Sequence, residues 1–262
     1  MNAKVNYKAV FTDIDGTLVS FKTHKVPQSA IDALQAAHEK GITLIISTGR
    51  PFTDLKEVVS LPYDGVISLN GADCRWRDGS VIEQYKIQYD DFLLMQEMSR
   101  IYGFAIGLEM DEGIFVSKIT PEVLDLAEKI AHPIPEVCNL EKLFLEKGCS
   151  QMCAYFDIET QKKVMPHIPN LYASRWHPGF ADIDLAGISK GTGLQRFAKE
   201  LGIEVSQTMA FGDGGNDIPL LQAAGLGIAM GNAGEDVKEN ADFVTSSVDE
   251  DGISSAITRF LL

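Results

Sequence analysis

Basic residues are scarce in this sequence: 23 Lys and Arg stand against 37 Asp and Glu, a net charge of −14. Nucleic acid and anionic membranes reward basic patches, so both are disfavoured as partners, and an anionic small substrate would need local compensation. Cysteine is sparse as well. Cys74, Cys138, Cys149 and Cys153 form no C-x-x-C pair and have no nearby His at zinc spacing, so they read as reduced, mostly buried thiols. No apolar run approaches the roughly 20 residues that a membrane span requires, and Met1 to Lys8 carries no apolar signal core, so a cytoplasmic location is the default expectation. Internal repeats and low-complexity segments are missing too. What remains is ample for folding, because 262 residues at 45% hydrophobic content can build one large domain or two smaller ones.

The chain opens with Ala9-Val10-Phe11, a short apolar run that reads as a buried strand, and then delivers Asp13, Asp15 and the turn-permitting Gly16. If extended geometry persists, side chains alternate with a period of two and both carboxylates point to one side. Apolar residues at helical spacing from Ala30 to Ala37 follow, stopped by Gly41. Ile42 to Ile46 is a second buried strand, ending in Ser47-Thr48-Gly49-Arg50; Pro51 then predicts a helix over about 51–60. Gly65 to Leu69 is a third strand, ending in Asn70-Gly71. Strand, helix, strand, helix, strand implies a right-handed parallel sheet.

Near residue 80 the rhythm changes to a mixed block with a strand at 81–87, helices at 89–102 and 121–131, a hairpin around Asp111-Glu112-Gly113, and alternating segments at 150–157 and 171–184. This places an inserted α/β domain at 86–182, within a Rossmann-like parallel-sheet core formed by 1–85 and 183–262. The first rhythm resumes with Gly187-Ile188-Ser189-Lys190-Gly191 at the head of a helix. Thr208 to Phe211 is then a strand delivering Gly212-Asp213-Gly214-Gly215-Asn216-Asp217, and closing strands and a final helix follow.

Four polar clusters thus share one position, the C-terminal end of a strand or the start of the next helix, which is where open α/β sheets bind ligands. Asp13/Asp15, Thr48/Arg50, Lys190 and Asp213/Asn216/Asp217 together offer carboxylates, an ammonium, a guanidinium and helix N-termini. That inventory suits a phosphoryl group and a hard divalent cation. Crowded carboxylates repel unless a cation relieves them, and Mg²⁺ takes a few carboxylates while filling its shell with water and phosphate oxygen. Read singly, each cluster has a bland alternative: an exposed turn, a helix cap, a solvated lysine. For Arg50, a phosphate contact and a surface ion pair remain equally open.

In this arrangement the chain resembles the haloacid dehalogenase superfamily, and within it the Cof-type sugar-phosphate phosphatases with an α/β cap. The motifs occur in order: D-x-D-G-T at Asp13 to Thr17, T-G-R at Thr48 to Arg50, the Lys190 motif G-I-S-K-G, and G-D-x-x-N-D from Gly212 to Asp217. The cap lies between the second and third motifs in that subfamily, as the inserted block does here. The resemblance implies that Asp13 is the nucleophile forming an aspartyl-phosphate, that Asp15 is the general acid and base, and that Thr48 and Lys190 stabilise the transferring group. It implies phosphate or substrate contacts from Gly16, Gly49, Arg50, Asn70, Lys190 and Asn216, and Mg²⁺ held by Asp13, Asp15 through its carbonyl, Asp213 and Asp217. The expected partner is a small phosphorylated metabolite, handled by a monomer or weak homodimer. Arg175, Trp176 and His177 in the cap could meet a sugar, although packing is the commoner use of such residues. His24 and Lys25 read as surface. A phosphohexomutase-type phosphotransferase and a non-catalytic sugar-phosphate-binding protein are the rival readings; loss of Asp13, Asp15 or Lys190 would mark the second, and all three are present. A dehalogenase proper needs neither the second acid nor the metal.

Overall fold

Ala9, Val10 and Phe11 are wholly buried and, with Thr12, form β1 (Ala9–Thr12), one of the central strands of an eight-stranded sheet. The computed structural model describes residues 6–130 and 133–262. After β1 come α1 (Gln28–Glu39), β2 (Thr43–Ser47), β3 (Gly65–Ser68), β4 (Asp73–Trp76) and β5 (Val81–Gln84). The inserted segment then carries α2 (Tyr89–Tyr102), β6 (Ala105–Met110), β7 (Gly113–Val116), α3 (Pro121–Lys129), β8 (Glu136–Val137), α4 (Leu140–Lys147), β9 (Gln151–Tyr155), α5 (Ile158–Val164), β10 (Leu171–His177) and β11 (Phe180–Leu185). The chain returns through α6 (Lys190–Leu201), β12 (Thr208–Gly212), α7 (Ile218–Ala223), β13 (Leu226–Ala229), α8 (Glu235–Glu239), β14 (Phe243–Val244) and α9 (Gly252–Phe260).

These elements divide into two units, one made of the chain up to Glu83 and from Ile188 to Leu262, the other of Gln84–Gly187. In the first, the sheet order is β14-β13-β12-β1-β2-β3-β4-β5, parallel from β14 through β3 and antiparallel at β3–β4. Both faces are buried, as the near-continuous apolar strands require. Val10, Leu44, Ile46, Val66 and Phe211 pack with α1 and α9 on one face; Phe11, Ile45, Ile67 and Ala210 pack with Leu194 and Phe197 of α6 and Leu220 of α7 on the other. The parallel strands follow a doubly wound order that reverses direction between β1 and β12, and in such sheets the crevice outside the strand ends at that point is where ligands bind.

The second unit is a six-stranded sheet in the order β10-β11-β9-β6-β7-β8, antiparallel except at β7–β8. Ile106, Leu108, Met152 and Ile183 cover one face with α2, α4 and α5, while Ala105, Val116, Tyr155 and Phe180 meet α3 on the other. The molecule is therefore α/β, a Rossmann-like core carrying a second, smaller α/β unit. Among the described residues no helix is long and apolar enough to cross a membrane.

Two local expectations are corrected. Residues 51–60 do not form a helix; they run as consecutive turns, with i→i−3 bonds from Asp54, Val58 and Leu61 that bury Leu55, Val58 and Leu61. The β-branched pair Val58-Val59, then Pro62, disfavours propagation of a helix, and the Asp54 carbonyl is instead taken by the Arg50 guanidinium at 3.4 Å. Extended geometry also ends at Thr12, before either acid. Gly16 adopts φ +83°, and the backbone doubles back so that Asp15 bridges to Val19.

Candidate active site

Because β1 stops at Thr12, the two acids turn to different partners. Asp13 is buried and its Oδ1 accepts from Lys190 Nζ at 2.6 Å, whereas Asp15 lies on the loop and its two oxygens accept from Arg50 Nε and Nη2 at 2.9 and 2.6 Å. Gly16 has to be glycine here, since φ is positive and a Cβ would collide with Asp213 Oδ2.

Lys190 is the first residue of α6, where the positive end of the helix dipole disfavours a cation. Ser189 caps that helix by accepting from the Thr192 N–H, and Thr192 Oγ1 accepts from the Ser189 N–H in return. Gly71 brings the Asn70 turn up against this cap: its φ is +105°, and a Cβ would strike the Ser189 carbonyl oxygen. The ammonium is completely buried and donates to Asp13 and, at 2.7 Å, to Asp217 Oδ1. Burial works against its charge, but these two carboxylates outweigh burial and raise the Lys190 pKa.

Asp217 Oδ2 accepts from the backbone N–H groups of Asp213 and Gly214, at 3.0 and 2.9 Å, so one carboxylate ties the loop after β12 to the lysine. Asp213 Oδ1 accepts from Thr17 Oγ1 at 3.0 Å and Oδ2 from Asn232 Nδ2 at 3.1 Å. Burial and the nearby Asp217 push the Asp213 carboxyl up to about 6, against the pull of Thr17 and Lys190. Asp13 is raised too, first by burial and then by Asp217, with Lys190 opposing. One ammonium thus faces three carboxylates whose oxygens come within 4.8 Å of one another, at Asp13, Asp213 and Asp217. This hard-oxygen, excess-anion donor set fits a divalent cation such as Mg²⁺.

Thr48 is buried at the end of β2 and its Oγ1 accepts from the Arg50 N–H at 3.1 Å. Gly49 faces Asn70, whose φ of +52° and burial are held by a bond from its N–H to the Thr48 carbonyl. Asn216 Nδ2 donates to Asn70 Oδ1 at 3.0 Å, joining the loops after β3 and β12. All four clusters therefore belong to one connected network at the sheet edge. Asp15 stands apart from the three-carboxylate group, and the Arg50 guanidinium is engaged by Asp15, Glu57 and the Asp54 carbonyl.

Sequence reasoning quoted Thr17 within the first motif without giving it a role, and passed over two further members of this network, Glu57 and Asn232. Asn232 directly follows Met230-Gly231 at the end of β13, so its place at the strand end was the available signal. In the second unit, Arg175 donates to the carbonyls of Phe156, His177, Pro178 and Phe180 and to Gln161, which makes it the tie that closes the β10–β11 turn. His177 Nε2 lies 3.2 Å from Lys129 Nζ. The side chain of Trp176 falls outside those described. His24 and Lys25 are exposed.

A family model described as haloacid dehalogenase-like hydrolase matches residues 10–257. BT1666 from Bacteroides thetaiotaomicron, whose structure is discussed among phosphatases of that superfamily, is similar with TM-score 0.97 and 51% identity, over 99% of this chain and 97% of its own. BT4131, described as a subclass IIB sugar phosphatase, is similar with TM-score 0.87 and 38% identity, over 97% and 98% of the two chains. Phosphatase YwpJ of Bacillus subtilis is 28% identical over 97% of this chain and its own entire length. The chain belongs to the haloacid dehalogenase-like hydrolase family.

Proposed function

We propose that this haloacid dehalogenase-like phosphatase hydrolyses small phosphorylated metabolites, sugar phosphates foremost, through a phosphoryl group carried on Asp13. The observation that carries the reading is the buried Lys190 ammonium between Asp13 and Asp217, with Asp213 beside them. The description of BT4131 as a sugar phosphatase supports the substrate class. A cytoplasmic setting goes with this reading.

An Asp13 carboxylate oxygen would bond to phosphorus as the bond to the leaving oxygen breaks, and Asp15 would deliver the proton that the departing alkoxide takes. Water then attacks the phosphorus, giving its proton to Asp15, and phosphate leaves with Asp13 restored. Lys190 keeps Asp13 oriented and lowers the cost of bringing a dianion beside carboxylates. Thr48 and the N–H groups of the Asp13–Gly16 loop would bind phosphoryl oxygens, with Gly49, Asn70 and Asn216 shaping the rim. Mg²⁺ would be held by Asp13, Asp213 and the Asp15 carbonyl, with Asp217 acting directly or through water. When bound it supplies positive charge to the phosphoryl oxygens and offsets the crowded acids.

Asp13→Asn is the direct test. Release of phosphate from p-nitrophenyl phosphate falls to background while the unfolding midpoint stays near that of the wild type; substantial residual turnover overturns the nucleophile assignment. Chelator abolishes wild-type turnover and added Mg²⁺ restores it, and a rate indifferent to chelator removes the cation from the reading.

A further inference from the structure

An arginine that binds a phosphoryl group presents its planar fork to the anion, but Arg50 presents that fork to a carboxylate of its own chain. Nε and Nη2 donate in parallel to the two oxygens of Asp15, at 2.9 and 2.6 Å, the bidentate geometry that fixes both partners. The opposite edge is held as well: Nη1 donates to Glu57 Oε2 at 2.9 Å and to the Asp54 carbonyl at 3.4 Å. The backbone of Asp15 bridges to Val19, but its carboxylate projects from the loop beyond β1 with the side chain 41% exposed. Among the described residues, the hydrogen bonds given to the Asp15 carboxylate all come from Arg50.

We propose that Arg50 acts through Asp15, as the positioning residue that sets the proton-handling carboxylate, with Glu57 and the Asp54 carbonyl bracing Arg50 from behind. The inference rests on the role given to Asp15 under the proposed function. Proton transfer requires heavy atoms within hydrogen-bond reach of the leaving oxygen, and a half-exposed carboxylate left free would divide its time among rotamers. The brace accounts for the turns at 51–61, since the helix predicted there would take the Asp54 carbonyl into its own ladder. It also accounts for the side chain of Glu57, whose pKa is lowered: its burial opposes the charge, while its own backbone N–H and Arg50 favour it.

Leaving groups separate this role from a phosphate contact. A hexose 6-phosphate expels a poor alkoxide that needs a proton, whereas p-nitrophenyl phosphate expels a stable phenolate that needs little help. In Arg50→Ala, the single-turnover rate of leaving-group release from the hexose 6-phosphate falls on the order of 100-fold with KM nearly unchanged, while that from p-nitrophenyl phosphate falls far less; the later water step, which uses Asp15 as base with either ester, does not enter this rate. Arg50→Lys, which keeps the charge and loses the fork, recovers only part of the rate and serves where the alanine variant fails to fold. Glu57→Gln gives a smaller loss with the same substrate bias. In an Asp15→Asn background, Arg50→Ala adds no further loss, because a residue that acts only through another is silent once that other is removed.

Equal losses on both substrates with a raised KM would overturn the inference in favour of phosphate contact. Additive losses in the Asp15→Asn background, or a faster enzyme in Arg50→Ala, would overturn it too, the latter by making the pair a latch. A wild-type protein inert toward both esters removes the proposed function and this inference with it, whereas any of the other failures in an active enzyme removes the inference alone.

Discussion

Asn232 gives its amide N–H groups to two acceptors, the Gly16 carbonyl at 2.9 Å and Asp213 Oδ2 at 3.1 Å, while its Oδ1 accepts from the Val248 N–H at 2.9 Å. One neutral side chain therefore joins the loop after β1, the metal-binding candidate Asp213 and the backbone before α9. Groups that orient metal ligands in this way are commonly worth 10–100-fold in affinity. For Asn232→Ala we expect Mg²⁺ affinity to fall by at least about 10-fold in calorimetric titration. Unchanged affinity would show that Thr17 alone suffices to hold Asp213. The catalytic candidates were legible because each belongs to a multi-residue motif after a buried strand or, for Lys190, at the head of a helix. Asn232 was not, since a Gly-Asn pair satisfies any turn, and its amide has meaning only once Gly16 and Asp213, 216 and 19 residues away, are brought alongside.

At the level of elements, apolar periodicity identified β1, α1, β2, β3, α2 and α6 because burial on one stripe or on both faces writes itself into the sequence. The helix expected over 51–60 rested on Pro51 as a helix start, and there the Val58-Val59 pair, Pro62 and the Arg50 contact to the Asp54 carbonyl keep the backbone in turns that bury Leu55, Val58 and Leu61. The short strand β4 and the eight-residue α4 also escaped notice, being too brief to show a period. Turn geometry carries more weight than sequence alone discloses. Gly71 and Gly79 both have positive φ, at +105° and +87°, but only Gly71 faces the Ser189 carbonyl, and Gly79 has nothing within 4 Å. Gly79→Ala is expected to cost only the left-handed strain, roughly 1–2 kcal/mol. Gly71→Ala must also displace the cap of α6, so its loss in urea unfolding is larger, and turnover falls with it because Lys190 begins that helix. Equal costs at the two positions would show that the Ser189 contact yields freely.

For the whole molecule, the doubly wound strand order does what no local motif can: it sets chain segments around residues 13, 48, 190 and 213 on one sheet edge, at the reversal between β1 and β12. It also concentrates negative charge in a protein that already carries −14. That concentration gives the metal-free fold an unusual pH dependence. Asp213 titrates at about 6 instead of the ordinary 3.8, so the folded state prefers the proton there more than the unfolded chain does. A raised pKa contributes stability that is complete below 3.8 and is lost as pH rises through about 6. Asp13 shifts in the same direction, so the two losses reinforce each other. In chelator, therefore, the unfolding midpoint falls by a few degrees between pH 5 and pH 7.5, after correction by an Asp213→Asn variant for titrations elsewhere. Mg²⁺ reverses the loss at pH 7.5 and does little at pH 5, where binding has to expel a proton first. A midpoint in chelator that rises across this interval as much in the wild type as in Asp213→Asn would mean that Lys190 alone balances the three carboxylates, and the case for a cation at this site would lose its electrostatic ground.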